Sequence, residues 1–330
     1  MISMKPLATA LLLGGITLSF TACKKVGEAV QAAKTATEAN SAASAENGTE
    51  KFNAYISCYN DADASAHRSM REYASWVQDM DAGPTGKESN IDNPGTISEN
   101  AMEGCNKITA LADAKPAIAG LDEAAKAYAA SLSVWAARLQ EADKYYSNED
   151  YKDDNMAKGK AMHADFVAAY RAFDEASDRF SDALEEVGHK RRLEELATLE
   201  KSEGKKFRYW HLSASMNAES LINHITEDEF DVEKAQALIQ AYEESSEALK
   251  NYAKSAEQQE VPSGFGLFVT RQESFLQAAK KRMRRVRDKQ PYSSGDISYF
   301  KAGHGRMVEG STESVVHAYN QLVDASNFLH

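Results

Sequence analysis

Glu309, Glu313 and His317 stand four residues apart, and on a helix steps of four bring these three metal-ligand types onto one face. That spacing would suit a divalent ion. At about 100° per residue, however, the apolar stripe Val308, Val315, Val316, Tyr319 and Val323 faces away from His317, so a solvated ridge is expected. The run "DYKDDNMAKG" from Asp150 has acids in the manner of a calcium loop. It is set aside because Lys152 falls at the third position and Asn155 where that loop needs glycine. His224 with Glu227 and Asp228 reads as a helix end, and His163 and Asp165 point apart on a helix. The chain contains no HExxH, CxxC, Gly-rich phosphate loop or GxSxG. No catalytic residue, metal ligand or cofactor is therefore assigned.

The three cysteines are more informative. Met1 to Lys5 form a short positive start, Leu7 to Phe20 an apolar run, and Thr21 and Ala22 a pair of small residues, which together read as a signal peptide over 1–22. The run is too short to span a bilayer. "FTAC" resembles the bacterial lipobox, in which the cysteine thiol is acylated and becomes the mature N-terminus; Phe20 stands where Leu is usual. Cys23 is the expected lipidation site, and each buried CH₂ of a palmitate-type chain contributes about 0.8 kcal/mol to membrane binding. An ordinary signal peptide with an incidental cysteine is the alternative. Lys24, rather than Asp, after the anchor favours the outer membrane of a Gram-negative envelope, with the protein facing the periplasm. Cys58 and Cys105 would then sit in an oxidising compartment. A bond between them closes a loop of about 48 residues and contributes on the order of 4 kcal/mol, the alternative being two buried free thiols.

The run "KKRMRRVRDK", residues 280–289, has seven basic side chains in a chain whose net charge is −12. Loss of Lys5 with the leader makes that −13, and such a balance argues against a nucleic-acid partner. Phe268, Phe275, Ala279, Met283 and Val286 define an apolar stripe, with Lys281, Arg284 and Arg285 roughly opposite. Lys280, Lys281, Arg284, Arg285 and Arg287 are candidates for binding an anionic partner, either lipid headgroups or an acidic envelope protein. The competing reading is that they pair with acidic faces of neighbouring helices.

Residues 23–50 carry almost no large apolar side chain and are expected to form a flexible tether spanning roughly 30 Å. The rest, 51–330, has few prolines and glycines, and its apolar residues recur at threes and fours. The fold class predicted is all-α, an elongated antiparallel bundle of long helices. Helices are expected from Phe52 to Met80, over 98–112, from Pro116 through Tyr145, from Met156 to the stretch "TEDEFDVE" as one bent helix or two, from that stretch to about 259, over 265–288 and over 304–328. The spacing of Met162, Phe166, Tyr170, Phe173, Ser177, Phe180, Leu184 and Val187 follows heptads, and Gly188 and Gly204 are two weak points in that run. Trp76, Trp135, Tyr170 and Trp210 fall on apolar stripes and are expected in the core.

"YYSNEDYKDDNMAKGKAMHADFVAAYRAFDEA" at 145–176 and "KFNAYISCYN" at 51–60 resemble the YiiG-like family of bacterial lipoproteins, defined by a domain of unknown function. The resemblance covers about 50–325 and implies a secreted, lipid-anchored, helical protein with no known activity. The expected role is a non-enzymatic binding or scaffold protein of the cell envelope. The alternative is a periplasmic metal-dependent or hydrolytic enzyme whose site is assembled from residues distant in sequence.

Overall fold

The structure is a computed structural model that describes residues 30–227, 229–256 and 261–329, with side chains from residue 47 onward. The signal peptide and Cys23 lie outside these residues. Among the described residues every regular element is helical: α1 (Val30–Trp76), α2 (Glu99–Asp113), α3 (Leu121–Ser147), α4 (Ala157–Ser202), α5 (Phe207–Ile225), α6 (Val232–Ser255), α7 (Phe265–Arg287), α8 (Ser294–Lys301) and α9 (Thr312–Asn327), with 3₁₀ turns at Asp150–Lys152 and Gly305–Met307. None of these helices is long and apolar enough to cross a membrane. The described residues divide at Gly188 into two compact units, each with its own core.

In the first unit α1, α2, α3 and the start of α4 pack around aromatic rings. Tyr59, Tyr128 and Phe180 meet at centroid distances of 4.8 to 5.9 Å, and Trp135 packs against Phe166 at 4.6 Å and Tyr170 at 5.3 Å. The heptad residues Phe166, Tyr170, Phe173, Ser177, Phe180 and Leu184 are all buried. Cys58 and Cys105 are joined by a disulfide that ties α1 to α2. The N-terminal end of α3 is fixed by Lys51, whose buried ammonium donates to Ala114 O, Pro116 O and Asp122 Oδ2 at 2.9 to 3.1 Å. Asp122 also accepts from Tyr55 Oη and the Ile118 amide, so its charge is matched and both its oxygens are bonded.

In the second unit α5 and α6 pack side by side, as do α7 and α9. Phe275 and Tyr319 pack at a tilt with centroids 5.3 Å apart, in a core with Leu221, Ile225, Ile239 and Leu249. Asp231 caps α6 by accepting the Glu233 and Lys234 amides, and Ser311 caps α9 through the Ser314 amide.

Several boundaries differ from those expected. The helix passes through Gly188 unbroken and ends before Gly204, whose φ of +79° an L side chain rarely adopts. Pro116 follows a cis peptide bond ahead of α3 instead of opening it. The stretch 290–297, between the helices expected over 265–288 and 304–328, contains the start of α8, opened by a reciprocal capping box between Ser293 and Asp296. The last helix begins at Thr312 and not near 304, because the 3₁₀ turn and Gly310, at φ +71°, interrupt the chain first. The first unit yields a stability prediction: Asp122→Ala leaves the buried Lys51 ammonium without its counter-charge and should cost about 3 kcal/mol in urea unfolding. A loss below about 1 kcal/mol would show that the two carbonyls alone satisfy Lys51.

Candidate functional site

Glu309 lies outside α9, so the three ligand types do not share one helical face. Glu309 pairs with Lys281 at 2.8 Å, Glu313 lies against Gly305, and His317 faces Gln321 at 3.2 Å. Among the described residues no group of three His, Cys, Asp or Glu is arranged to hold a metal ion. Asp154, from the run set aside as a calcium loop, instead caps α4. It accepts the Ala157 and Lys158 amides and the Tyr145 hydroxyl, and these bonds hold its carboxyl below the usual range.

The predicted basic site is largely occupied from within. Lys280 binds both oxygens of Glu243 at 3.0 Å, and Lys281 binds Glu309. Arg285 donates to Glu309 O and Pro291 O and lies over the Tyr292 ring at 4.6 Å, while Arg287 forms a bidentate pair with Asp288. Arg284 is exposed and takes part in no ion pair among the described residues. Arg282, which the helical wheel does not set apart from the apolar stripe, is buried against the Phe230 ring and Ile225 O.

The densest polar cluster joins residues up to 114 positions apart, and the sequence reading missed it. Asp63 is 1% exposed; its Oδ1 accepts from Ser177 Oγ at 2.5 Å and from Tyr128 Oη at 3.4 Å. Its Oδ2 makes no hydrogen bond and lies 3.5 Å from His67 Nε2. His67 Nδ1 is 2.9 Å from Tyr170 Oη and 3.6 Å from Asp174 Oδ1. Burial pushes the Asp174 carboxyl up, against the opposing pull of His67. Serine, histidine and aspartate invite comparison with a nucleophilic triad, but the geometry does not make one. Ser177 gives its proton to a carboxylate instead of the imidazole, which is 3.5 Å away, and its hydroxyl is sealed in the core. The spacing of Asp63 and His67, four apart on the buried face of α1, was the available signal.

His163 and His224 are engaged in a similar way. His163 lies between Tyr73 Oη and Met80 O, and its ring is why residue 83 is glycine: a Cβ there would come within 2.7 Å of it. A cleft of about 480 Å³ runs along α4 beside it, lined by Met80, Asp81, Val167, Arg171 and Glu175. A second, apolar cleft of about 510 Å³ lies between α6 and α7, lined by Ala253, Val261, Phe265 and Val269 with Lys250 and Lys254. His224 lies 2.9 Å from Asp231 O.

With this geometry in hand, comparison with known proteins places the chain. Residues 46–328 match the family described as "Protein of unknown function (DUF3829)", and the chain belongs to that family. A relative is the "Uncharacterized protein YiiG" of Escherichia coli (strain K12), 35% identical over 283 residues, which are 85% of this chain and 78% of that protein. No solved structure matches the chain.

His211 supplies a pH test. It faces Ser326 Oγ at 2.9 Å and stacks on Phe207, and burial lowers its pKa to about 4. The unfolded chain, with an ordinary histidine, takes up the proton first. The stability that the neutral ring contributes is therefore complete above about pH 6.5 and lost as the pH falls toward 4, by at most about 3 kcal/mol. Urea unfolding between pH 7 and 4 should show a steeper loss for the wild type than for His211→Gln. Parallel curves would mean that the ring is protonated in the folded state.

Proposed function

We propose that this is a lipid-anchored protein of the Gram-negative cell envelope, facing the periplasm from the outer membrane, whose helical body is a binding or scaffold module. The observation that carries this reading is cysteine usage: Cys23 follows an apolar leader in a lipobox-like setting, and Cys58 and Cys105 are bonded to each other. Each use requires export to an oxidising compartment or suits one. The non-enzymatic part is supported by how the reactive side chains are employed. Asp63, His67 and Ser177 bind one another inside a core, and His163 and His211 are held by neighbouring side chains or backbone.

Metabolic labelling with a radioactive fatty acid should mark the wild type and leave Cys23→Ala unmarked, and the wild type should sediment with outer membranes in a density gradient. Lys24→Asp should move the labelled protein to the inner-membrane fraction. Label retained by Cys23→Ala would remove the anchor. Labelled protein that stays with the inner membrane in the wild type would overturn the assignment to the outer one.

A further inference from the structure

We infer that the corner of the second unit formed by the end of α7, helix α8 and the 3₁₀ turn that follows is a docking face for an anionic lipid bilayer. This deepens the envelope reading and rests on it only for having such a surface within reach. Residues 280–310 contain nine Lys or Arg and three acids, in a chain whose total is −12. Most cations of the α7 ridge are tied internally, which moves the available charge outward along the chain. Arg284, Lys289, Lys301 and Arg306 are exposed and form no ion pair among the described residues.

The same segment exposes apolar side chains. Ile297 is 46% exposed, Tyr299 47% and Met307 66%, and α8 buries no residue at all. A helix with no core role is nevertheless firmly built. Its capping box closes its start, Tyr292 packs edge-on against Phe300 at 4.9 Å, and the Arg285 guanidinium covers Tyr292. At its far end the His304 amide donates to Tyr299 O, and Ser311 Oγ donates to Gly305 O. These contacts hold exposed cations and exposed apolar groups together on one framework.

Cations alone would suit any polyanion. Cations interleaved with an aromatic ring and a methionine suit the boundary between phosphate headgroups and acyl chains, where the apolar groups enter and the charges stay with the phosphates. The acidic remainder of the protein would be repelled by such a surface, so the attraction selects this corner.

The test uses the mature chain from residue 23 with Cys23→Ala, so that no acyl chain contributes and its outcome is independent of the labelling experiment. In sedimentation with vesicles at low salt, it should bind phosphatidylglycerol–phosphatidylethanolamine at least about tenfold more tightly than phosphatidylcholine. Reversal of Arg284, Lys289, Lys301 and Arg306 to Glu should abolish that preference with little change in melting temperature. Reversal of Lys87, Lys160, Lys190 and Lys201, which matches the charge change elsewhere, should leave it intact. If the Glu set unfolds, the same four positions as Gln serve instead. Tyr299→Ser with Met307→Ser should weaken binding severalfold, most visibly in high salt where charge is screened. Equal binding to both vesicle types, or binding that survives the four substitutions, would overturn the proposal. Equal affinity for polyglutamate, with no effect of the two Ser substitutions, would overturn it in favour of an acidic protein partner.

Discussion

A carboxylate in a helical core constrains everything around it, because its charge has to be met by donors that sit in register on other helices. In the first unit that group is Asp63 on α1. Ser177 reaches it from α4 and Tyr128 from α3, so the rotation of three helices is set at one point. The rings then follow. Tyr59, one turn before Asp63, meets Tyr128 and Phe180, and Phe180 is one turn beyond Ser177. A leucine at position 63 could occupy the space but would leave Ser177 without its acceptor and would not select this rotation over its neighbours. The apolar contacts supply most of the stabilisation, and the buried carboxylate specifies which contacts form.

Lys51 and Asp122 repeat the device at the end of the unit, where the chain enters α3. Two carbonyls from the segment before that helix and one carboxylate from its first turn converge on a single ammonium. The second unit has buried charges of its own, Arg192 paired with Glu219 at 2.6 Å and Arg282 against Phe230, and adds caps to them. Asp231, Ser293 and Ser311 each open a helix by accepting backbone amides, and the core between α5 and α9 is chiefly aliphatic and aromatic.

The fold was legible where periodicity is long. The heptads from Phe166 to Leu184 and the helices over 99–113 and 265–287 follow directly from apolar spacing. Gly204 outweighs Gly188 as a breaker because a positive φ terminates a helix, whereas glycine in a helical conformation only weakens it. Helix α8 was obscured by its polar composition, although Ser293 and Asp296 have the spacing of a capping box. Of the buried cluster only the i,i+4 spacing of Asp63 and His67 was legible, since proximity of Asp63 to Ser177 depends on how α1 and α4 pack. The basic run was visible as charge. Which of its members are free is decided by Glu243, Glu309 and Tyr292, and no helical wheel of α7 contains those residues.

The disulfide between Cys58 and Cys105 encloses the whole of the Gly- and Pro-rich connection from residue 77 to 98. A protease that cut this connection would produce two fragments still covalently joined, one carrying the N-terminus and the whole of α1, the other everything from α2 onward. The nicked molecule would keep its N-terminal segment and its helical body together. It would run as an intact chain on a gel without reductant, so the connection can be severed without separating the body from the N-terminal segment.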